Sequence, residues 1–236
     1  MKIINLNAAQ RQGLQLILSR FRKYKTFSAN KKAAYKYASV FEISVCPYCN
    51  IHYIDTVAAV TRPEFDHFIC KSSKLGGDIQ LDSRNLVPSC HICNSTIKKN
   101  KIFKCDTHIN PLYHDFDSIM KFYIDIKDAS YLNTENFDIC FGKKCSDNHL
   151  VRMASNSVRD LKLVARYQCC KHYVVEYLKL IRHYNSFHRK MIFDLIGVNS
   201  HQVYSAESLL CGYIDIDINN TSLGKLRKDI ISSYAW

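Results

Sequence analysis

Residues that interrupt regular structure are scarce in this chain of 236 residues, which contains only seven glycines and four prolines. This scarcity excludes collagen-like repeats and long disordered segments rich in proline and glycine. Apolar runs are also short, and without about 18 consecutive apolar residues the sequence predicts no membrane-spanning helix. Because Arg20, Arg22 and Lys23 directly follow the apolar stretch 14–18, the first residues lack the layout of a signal peptide. We therefore expect a cytoplasmic protein.

Acidic residues are scarce as well, and 33 Lys and Arg against 21 Asp and Glu give a net charge of +12. The imbalance is concentrated in residues 1–45, with the single acid Glu42, and in residues 151–193, whereas residues 105–150 and 194–236 are net acidic. Segregated positive charge indicates a polyanionic partner, most simply nucleic acid. The alternative is that the charges belong to solvated helix faces.

Cysteine is abundant, and four of the eleven cysteines form two CxxC pairs, Cys46–Cys49 and Cys90–Cys93. A CxxC turn places two thiolates on one edge of a tetrahedron, so two turns can complete a closed, structural zinc site. Coincidence and a redox pair are the alternatives, but no thioredoxin-like βαβ pattern surrounds either pair. Most of the other seven are expected to be reduced and buried as small apolar side chains: Cys70, Cys105, Cys140, Cys145, Cys169, Cys170 and Cys211.

Polar residues with carboxylate, imidazole and amide side chains lie between and beside the cysteine pairs: Asp66 and His67, then Asn85, then Asn94 directly after the last cysteine. In this order and spacing, together with the four cysteines, they resemble the HNH (ββα-metal) nuclease family in its four-cysteine form. The resemblance covers about a quarter of the chain. It implies an α+β, mainly helical protein in which a small zinc-stapled ββα core is flanked by helical regions.

The chemistry of hydrolysis suits each of these residue types. A neutral His67 can act as the general base, since its pKa lies near the working pH. Asp66 and Asn94 offer hard oxygen ligands that suit one Mg²⁺ or Mn²⁺. The resemblance implies that Asn85 holds the hairpin loop, and that Lys98 stands where some family members carry a further metal ligand. We expect the basic side chains that follow Asn94 to contact nucleic acid: Lys98, Lys99, Lys101 and Lys104.

Four regions are predicted along the chain: a basic helical region 1–43, the core 44–104, a hairpin or loop extension 105–150, and a helical region 151–236 suited to docking a partner. Alternating apolar residues predict two strands in the extension: Phe122, Ile124 and Ile126, then Phe137, Ile139 and Phe141.

Within the helical region, Ser157 and Asp160 predict the start of a helix through a capping box. A final helix is predicted from about Ser222 to Tyr234, and residues 212–218 alternate as a strand or an extended docking segment would.

A closer resemblance concerns four short motifs around the core, at Cys46–Cys49, Arg62–His67, Asn85–Cys90 and Ile109–Leu112. They are similar to the HNH subunits of bacterial anti-phage systems, of the PtuB type found in Septu systems and some retrons. This resemblance implies an ATPase partner of the PtuA type and, in retrons, a reverse transcriptase with its DNA. DNA is the default substrate, with RNA or tRNA as the alternative. A non-catalytic zinc-dependent subunit that binds nucleic acid or an acidic protein is the competing hypothesis of another class.

Overall fold

The computed structural model describes residues 1, 3–73, 77, 79–130, 132–183, 187–188, 191, 194–195 and 216–234. They form two compact units. The first unit is made of Met1–Met120, Lys143–Leu163 and Ile218–Ser222. The second comprises the described residues of 121–142, 164–217 and 223–236. The four-region division of the sequence stays a prediction.

The first unit begins with three helices, α1 (Ala8–Leu18), α2 (Tyr24–Ala29) and α3 (Lys31–Ser39). The start of α1 is fixed by a reciprocal capping box, in which the Asn7 side chain accepts from the Gln10 N–H and the Gln10 side chain accepts from the Asn7 N–H. The apolar positions repeat at helical spacing and form one buried stripe: Leu14, Ile17 and Leu18.

An antiparallel hairpin follows, formed by β1 (Glu64–His67) and β2 (Leu86–Ser89), with Glu64 opposite Ser89 and His67 opposite Leu86. Successive side chains of a strand point to opposite faces. Phe65 therefore shares one face of β1 with His67, whereas Glu64 and Asp66 share the other.

The first of these faces packs against the N-terminal helices through three buried aromatic rings. The centroid of the Tyr37 ring lies 5.4 Å from that of Phe27 and 5.0 Å from that of Phe65. Each ring removes a large apolar area from water, so this cluster fixes α2 and α3 against the strand that carries His67.

The second face of β1 meets α4 (Ile92–Lys98), which is wound as a π-helix. The Lys99 N–H donates to the Asn94 carbonyl at 2.8 Å, a five-residue step, and α4 ends at Lys99 with a positive φ of 47°. π-Helical winding is rare, and where it occurs inside helices it is frequently at functional sites. The segment between the cysteine pairs and just beyond them thus has the order strand, strand, helix.

A second two-stranded antiparallel sheet joins β3 (Met120–Ile126) to β4 (Phe137–Lys143), after the short helix α5 (Phe116–Ile119). Buried and exposed residues alternate along β3 up to Asp125, which confirms the predicted period of two. The Phe122 ring packs 4.3 Å from Phe141, measured between centroids, so the two strands share an apolar face.

Later in the described part of the chain come four further helices, α6 (Asn148–Asp160), α7 (Leu163–Gln168), α8 (Lys171–His183) and α9 (Gly224–Tyr234). The last confirms the helix predicted before Tyr234. By contrast, the start predicted at Ser157 is wrong: α6 begins nine residues earlier, because Asp147 caps it by accepting the N–H groups of His149 and Leu150. Residues 212–215 of the predicted extended segment lie outside the described residues.

The scattered cysteines only partly match the predicted burial. Among the six that the structure describes, Cys70 and Cys170 are buried, whereas Cys105 and Cys169 are exposed and the others are half-buried. Small apolar size alone therefore did not decide where these side chains lie. In total the fold is α+β, with more helix than strand among the described residues.

Candidate metal centre and cleft

Four buried thiols converge at the ends of the hairpin. The sulfur atoms of Cys46, Cys49, Cys90 and Cys93 all lie within 4.8 Å of one another, and the Cys49 and Cys90 sulfurs are 4.0 Å apart. A tetrahedral zinc ion 2.3 Å from each sulfur needs sulfurs roughly 3.8 Å apart. The four cysteines are therefore positioned to hold a metal ion, and four thiolates with no further position are typical of a structural site.

Local backbone geometry prepares these thiols to be ligands. The N–H of Cys90 donates to the Cys46 sulfur and the N–H of Cys93 donates to the Cys90 sulfur, both at 3.4 Å. Burial raises the pKa of the Cys46 thiol well above its ordinary value, whereas the hydrogen bond with Cys46 lowers the pKa of Cys90. A bound cation would hold all four side chains as thiolates. Because β2 ends at Ser89, directly before Cys90, the cluster fixes the end of the hairpin and the start of α4.

The carboxylate of Asp66 lies on the α4 face of β1 and is held from both sides. The Lys98 ammonium lies 2.9 Å from Oδ1 and also donates to the His67 carbonyl at 2.7 Å. The Tyr48 hydroxyl donates to Oδ2 at 2.6 Å. Burial, together with the negative charge of Asp66, raises the pKa of Tyr48 well above its ordinary value, so the phenol remains a donor.

Tyr48 connects this carboxylate to the thiol cluster, because it lies between Cys46 and Cys49 in the first CxxC pair. All three side chains of the network, Asp66, Lys98 and Tyr48, are buried. Ion pairs in such surroundings persist only when the remaining hydrogen-bonding groups are also satisfied.

Glu64 occupies the same face of β1 two residues earlier and accepts three hydrogen bonds. They come from the ring of His91 at 2.7 Å, the amide nitrogen of Asn94 at 2.8 Å and the hydroxyl of Ser95 at 2.7 Å. Burial acts to raise the pKa of Glu64, but these hydrogen bonds outweigh it and lower the pKa. Glu64 was not predicted as a site residue, although its two-residue spacing from Asp66 on a strand is a usable signal.

The imidazole of His67 lies on the opposite face of β1 and is only 6% exposed. Its Nε2 lies 3.0 Å from the Gln80 carbonyl, which can only accept, so the neutral ring carries its proton there and keeps the lone pair on Nδ1. The Tyr24 ring packs against it edge to face at 4.4 Å. Burial lowers the pKa of His67 to about 4, with the charges of Lys71 and Lys98 acting in the same direction. The ring is therefore neutral at neutral pH.

Asn85, directly before β2, is hydrogen-bonded to the chain that follows β1. Its side-chain oxygen accepts from the Ile69 N–H at 2.7 Å, and its amide nitrogen donates to the Ile69 carbonyl at 3.1 Å. The Asn85 carbonyl also accepts from the Phe68 N–H at 2.8 Å. These contacts fix the chain directly after His67.

A cleft of about 510 Å³ brings several of the predicted site residues together. We call it the His67 cleft and define it by six of its lining residues: Tyr24, Asp66, His67, Lys71, Asn94 and Lys99. Lys71 was not singled out in the sequence, and its ammonium lies 4.9 Å from the centroid of the Tyr24 ring.

The predicted basic residues take four different positions. Lys98 is fully buried in the Asp66 network. A side chain that contacts phosphate would have to face solvent, and Lys98 does not. Lys99 is exposed at the His67 cleft. Lys101 donates to the Asp160 carbonyl, and Lys104 is exposed outside the residues that line the cleft.

Comparisons with protein-family models, with curated proteins and with solved structures give no match to this chain. Among the described residues, no helix has both the length and the apolar composition needed to cross a bilayer.

Proposed function

We propose that this chain is a metal-dependent endonuclease of the HNH type, which hydrolyses phosphodiester bonds of nucleic acid in the His67 cleft. The observation that supports it most is the meeting of a neutral histidine with two oxygen donors, Asp66 and Asn94, in one cleft bordered by basic side chains. A structural or purely binding subunit has no need of this combination.

His67 is the general base of the proposed reaction. Its Nδ1 lone pair accepts the proton of the attacking water, while the hydrogen bond to Gln80 and the packing of Tyr24 keep the ring in one orientation. With a pKa of about 4 the ring is unprotonated at neutral pH, so its lone pair is open. The same low value makes it a weaker base than the near-neutral pKa expected from the sequence, because burial disfavours the charged ring.

Asp66 and Asn94 would hold the divalent cation, and their donor chemistry fits Mg²⁺ or Mn²⁺. Each Asp66 oxygen accepts one hydrogen bond and keeps a further lone pair. The Asn94 amide nitrogen is bound to Glu64, so the carbonyl oxygen is the atom that remains for a cation. When bound, the cation would polarise the phosphate and stabilise charge on the leaving oxygen. Lys71 and Lys99 add positive charge at the same cleft.

Cleavage assays with a matched histidine variant test this proposal. Purified protein is incubated with DNA and with total RNA, with and without Mg²⁺ or Mn²⁺, beside His67→Ala and the control His149→Ala, which changes an exposed histidine of α6. We expect His67→Ala to lower cleavage roughly 10²- to 10⁴-fold and His149→Ala to leave it unchanged. Cleavage that does not depend on His67 or on the cation, with candidate partners supplied, would refute the enzyme.

We further propose that the ion of the four-cysteine site is zinc with a purely structural role. Elemental analysis should find about one zinc per chain. Cys90→Ser should lose the zinc and the folded state, whereas Cys105→Ser, which changes an exposed cysteine, should keep both. Folded, zinc-free protein would contradict this assignment.

The wider biological role rests on the sequence resemblance. We propose that the nuclease is the toxic effector of an anti-phage system, with an ATPase partner of the PtuA type that controls it. Cleavage assays with and without the purified ATPase test this role. If the ATPase does not change the cleavage rate and forms no complex with the chain in gel filtration, control by such a partner is refuted.

A further inference from the structure

A second cleft, of about 720 Å³, borders the segment that holds His67 in place. We call it the Arg–Tyr cleft and define it by Arg11, Gln15, Arg84 and Tyr113. Its volume is within the range of roughly 300–1,000 Å³ that is common for ligand sites.

The segment 79–81 links the two clefts, although they have no lining residue in common. Ile79 and Leu81 line the Arg–Tyr cleft, while Gln80, between them, accepts the hydrogen bond of His67 at 3.0 Å. The Gln15 side chain of α1 stabilises the same segment by donating to the Leu81 carbonyl at 3.2 Å. Two lining residues of the Arg–Tyr cleft are therefore direct chain neighbours of the carbonyl that holds His67.

Two guanidinium groups flank an accessible phenol ring in the Arg–Tyr cleft. The Arg11 guanidinium lies 5.5 Å from the centroid of the Tyr113 ring and is oriented by the carbonyls of Leu6 and Leu112. Tyr113 is 44% exposed. Burial raises the pKa of its phenol, and the charges of Arg11 and Arg84 oppose that rise, so both cations act on the same ring.

Arg84 retains capacity for an anion. Its side chain is 74% exposed, and the Asp82 carboxylate accepts only from Nε and Nη2. Nη1 is left without a partner among the described residues. An aromatic face beside a guanidinium is the combination with which proteins bind single-stranded nucleic acid, through stacking of a base and pairing with a phosphate.

We propose that the Arg–Tyr cleft binds a nucleotide next to the one whose phosphodiester bond lies in the His67 cleft, with its base against Tyr113 and its phosphate at Arg84. This inference rests on the proposed nuclease function and names the substrate contacts that lie outside the reacting groups. An acidic protein would use the charges without needing the aromatic face.

Binding measurements on a non-cleaving background test the stacking contact. Labelled single-stranded DNA and RNA of mixed sequence are titrated with His67→Ala, and then with the same protein carrying Tyr113→Ala. We expect Tyr113→Ala to weaken binding about tenfold, and Tyr113→Trp to retain it. Tyr173→Ala is the matched control, since Tyr173 is also 44% exposed but lies on α8, and it should leave affinity unchanged.

Salt dependence tests the phosphate contact. Arg84→Ala should weaken binding and reduce the slope of log affinity against log salt by about 1, the value for one phosphate contact. The control Lys143→Ala, at the exposed end of β4, should leave the slope unchanged.

Unchanged affinity in both Tyr113→Ala and Arg84→Ala would overturn the inference. Binding of poly-glutamate that depends on these two side chains, with no effect on nucleic acid, would assign the cleft to an acidic protein and overturn it as well. The two proposals fail separately: a wild-type protein that does not cleave refutes the nuclease, whereas cleavage with normal binding by both variants refutes only the nucleotide site.

Discussion

Each unit of the protein contains one buried lysine–aspartate pair among the described residues, and the two pairs are built differently. In the first unit, the Lys98 ammonium lies 2.9 Å from the carboxylate of Asp66. In the second, the Lys225 ammonium lies 2.8 Å from the carboxylate of Asp229. Both lysines are fully buried. Removing such charges from water costs several kcal/mol for each ion, which their mutual attraction and further hydrogen bonds must offset.

The second pair is local, because Lys225 and Asp229 are one turn apart on α9. The Oδ2 atom of Asp229 also accepts from the main chain, from the Phe122 N–H at 2.8 Å. The first pair joins α4 to β1 across 32 residues of sequence, and its third member is a side chain, the Tyr48 hydroxyl.

Burial and ion pairing therefore do not by themselves identify a functional site. Asp66 lines a cleft beside a neutral histidine, whereas Asp229 supports the backbone of β3. We therefore propose a role in the reaction for the first pair and a purely structural role for the second. The following measurements can distinguish these two roles.

The largest expected effect comes from truncating either lysine. Lys98→Ala and Lys225→Ala should each lower the free energy of unfolding by about 3–5 kcal/mol, because each leaves a buried carboxylate without its counter-charge. Urea titration followed by circular dichroism measures this loss. Lys104→Ala, at an exposed position, should change stability by less than about 0.5 kcal/mol.

Added Mg²⁺ or Mn²⁺ should then distinguish the two variants. The cation binds the folded state of Lys98→Ala at Asp66, which lines the His67 cleft, and restores part of the lost stability. Lys225→Ala keeps the Asp66 site unchanged, so it should gain no more stability from the cation than the wild-type protein does. Equal recovery in both variants, or none in either, would contradict the distinction between the pairs.

A smaller loss of stability, on the order of 2 kcal/mol, is expected on acidification. It comes from His67 and therefore concerns only the first unit. The unfolded chain binds a proton at His67 below its ordinary pKa of 6.5, whereas the folded protein, with its pKa lowered to about 4 by burial, does not. Stability is therefore lost as the pH falls from 6.5 towards 4. Without divalent cation, His67→Gln should lose less stability than wild type over this range, and exposed His149→Gln should follow wild type. Parallel curves of unfolding free energy against pH for all three proteins would disprove the contribution of His67.

The smallest effect is expected for Tyr48→Phe, which removes one hydrogen bond from Asp66 while the Lys98 ammonium remains. We expect a loss of about 1 kcal/mol in unfolding free energy with unchanged zinc content by elemental analysis. The second pair offers no counterpart, since a main-chain N–H takes this position there. Loss of zinc in Tyr48→Phe would mean that the tyrosine stabilises the first CxxC turn instead of the Asp66 carboxylate.

Local signals in the sequence were sufficient for several elements. The two CxxC spacings predicted the four-cysteine cluster, because each turn alone fixes two sulfurs. Apolar periodicity predicted α1, α9 and the two strands of the second sheet. The start of α6 was missed because the Ser157 hydroxyl bonds within the helix, to the Met153 carbonyl, instead of capping its end.

The interior of the candidate site could not be read in the same way. The burial of Lys98 depends on its ion pair with Asp66, 32 residues away, and on the π-helical winding of α4. Neither feature can be predicted from the residues around Lys98. Tyr24 reaches His67 only because α2 packs on the hairpin. Such contacts are set by tertiary packing, which overrides local propensity.

Tyr48 makes the first CxxC pair difficult to exchange between proteins. In a zinc knuckle that serves only as a clamp, the two residues between the cysteines can be replaced freely, since the ligands alone determine metal binding. Here the second of them supplies the hydroxyl that reaches Asp66. A designer who grafts another metal knuckle onto this hairpin must therefore carry a tyrosine into that position, or accept a well-folded, zinc-loaded protein whose Asp66 carboxylate is held by Lys98 alone.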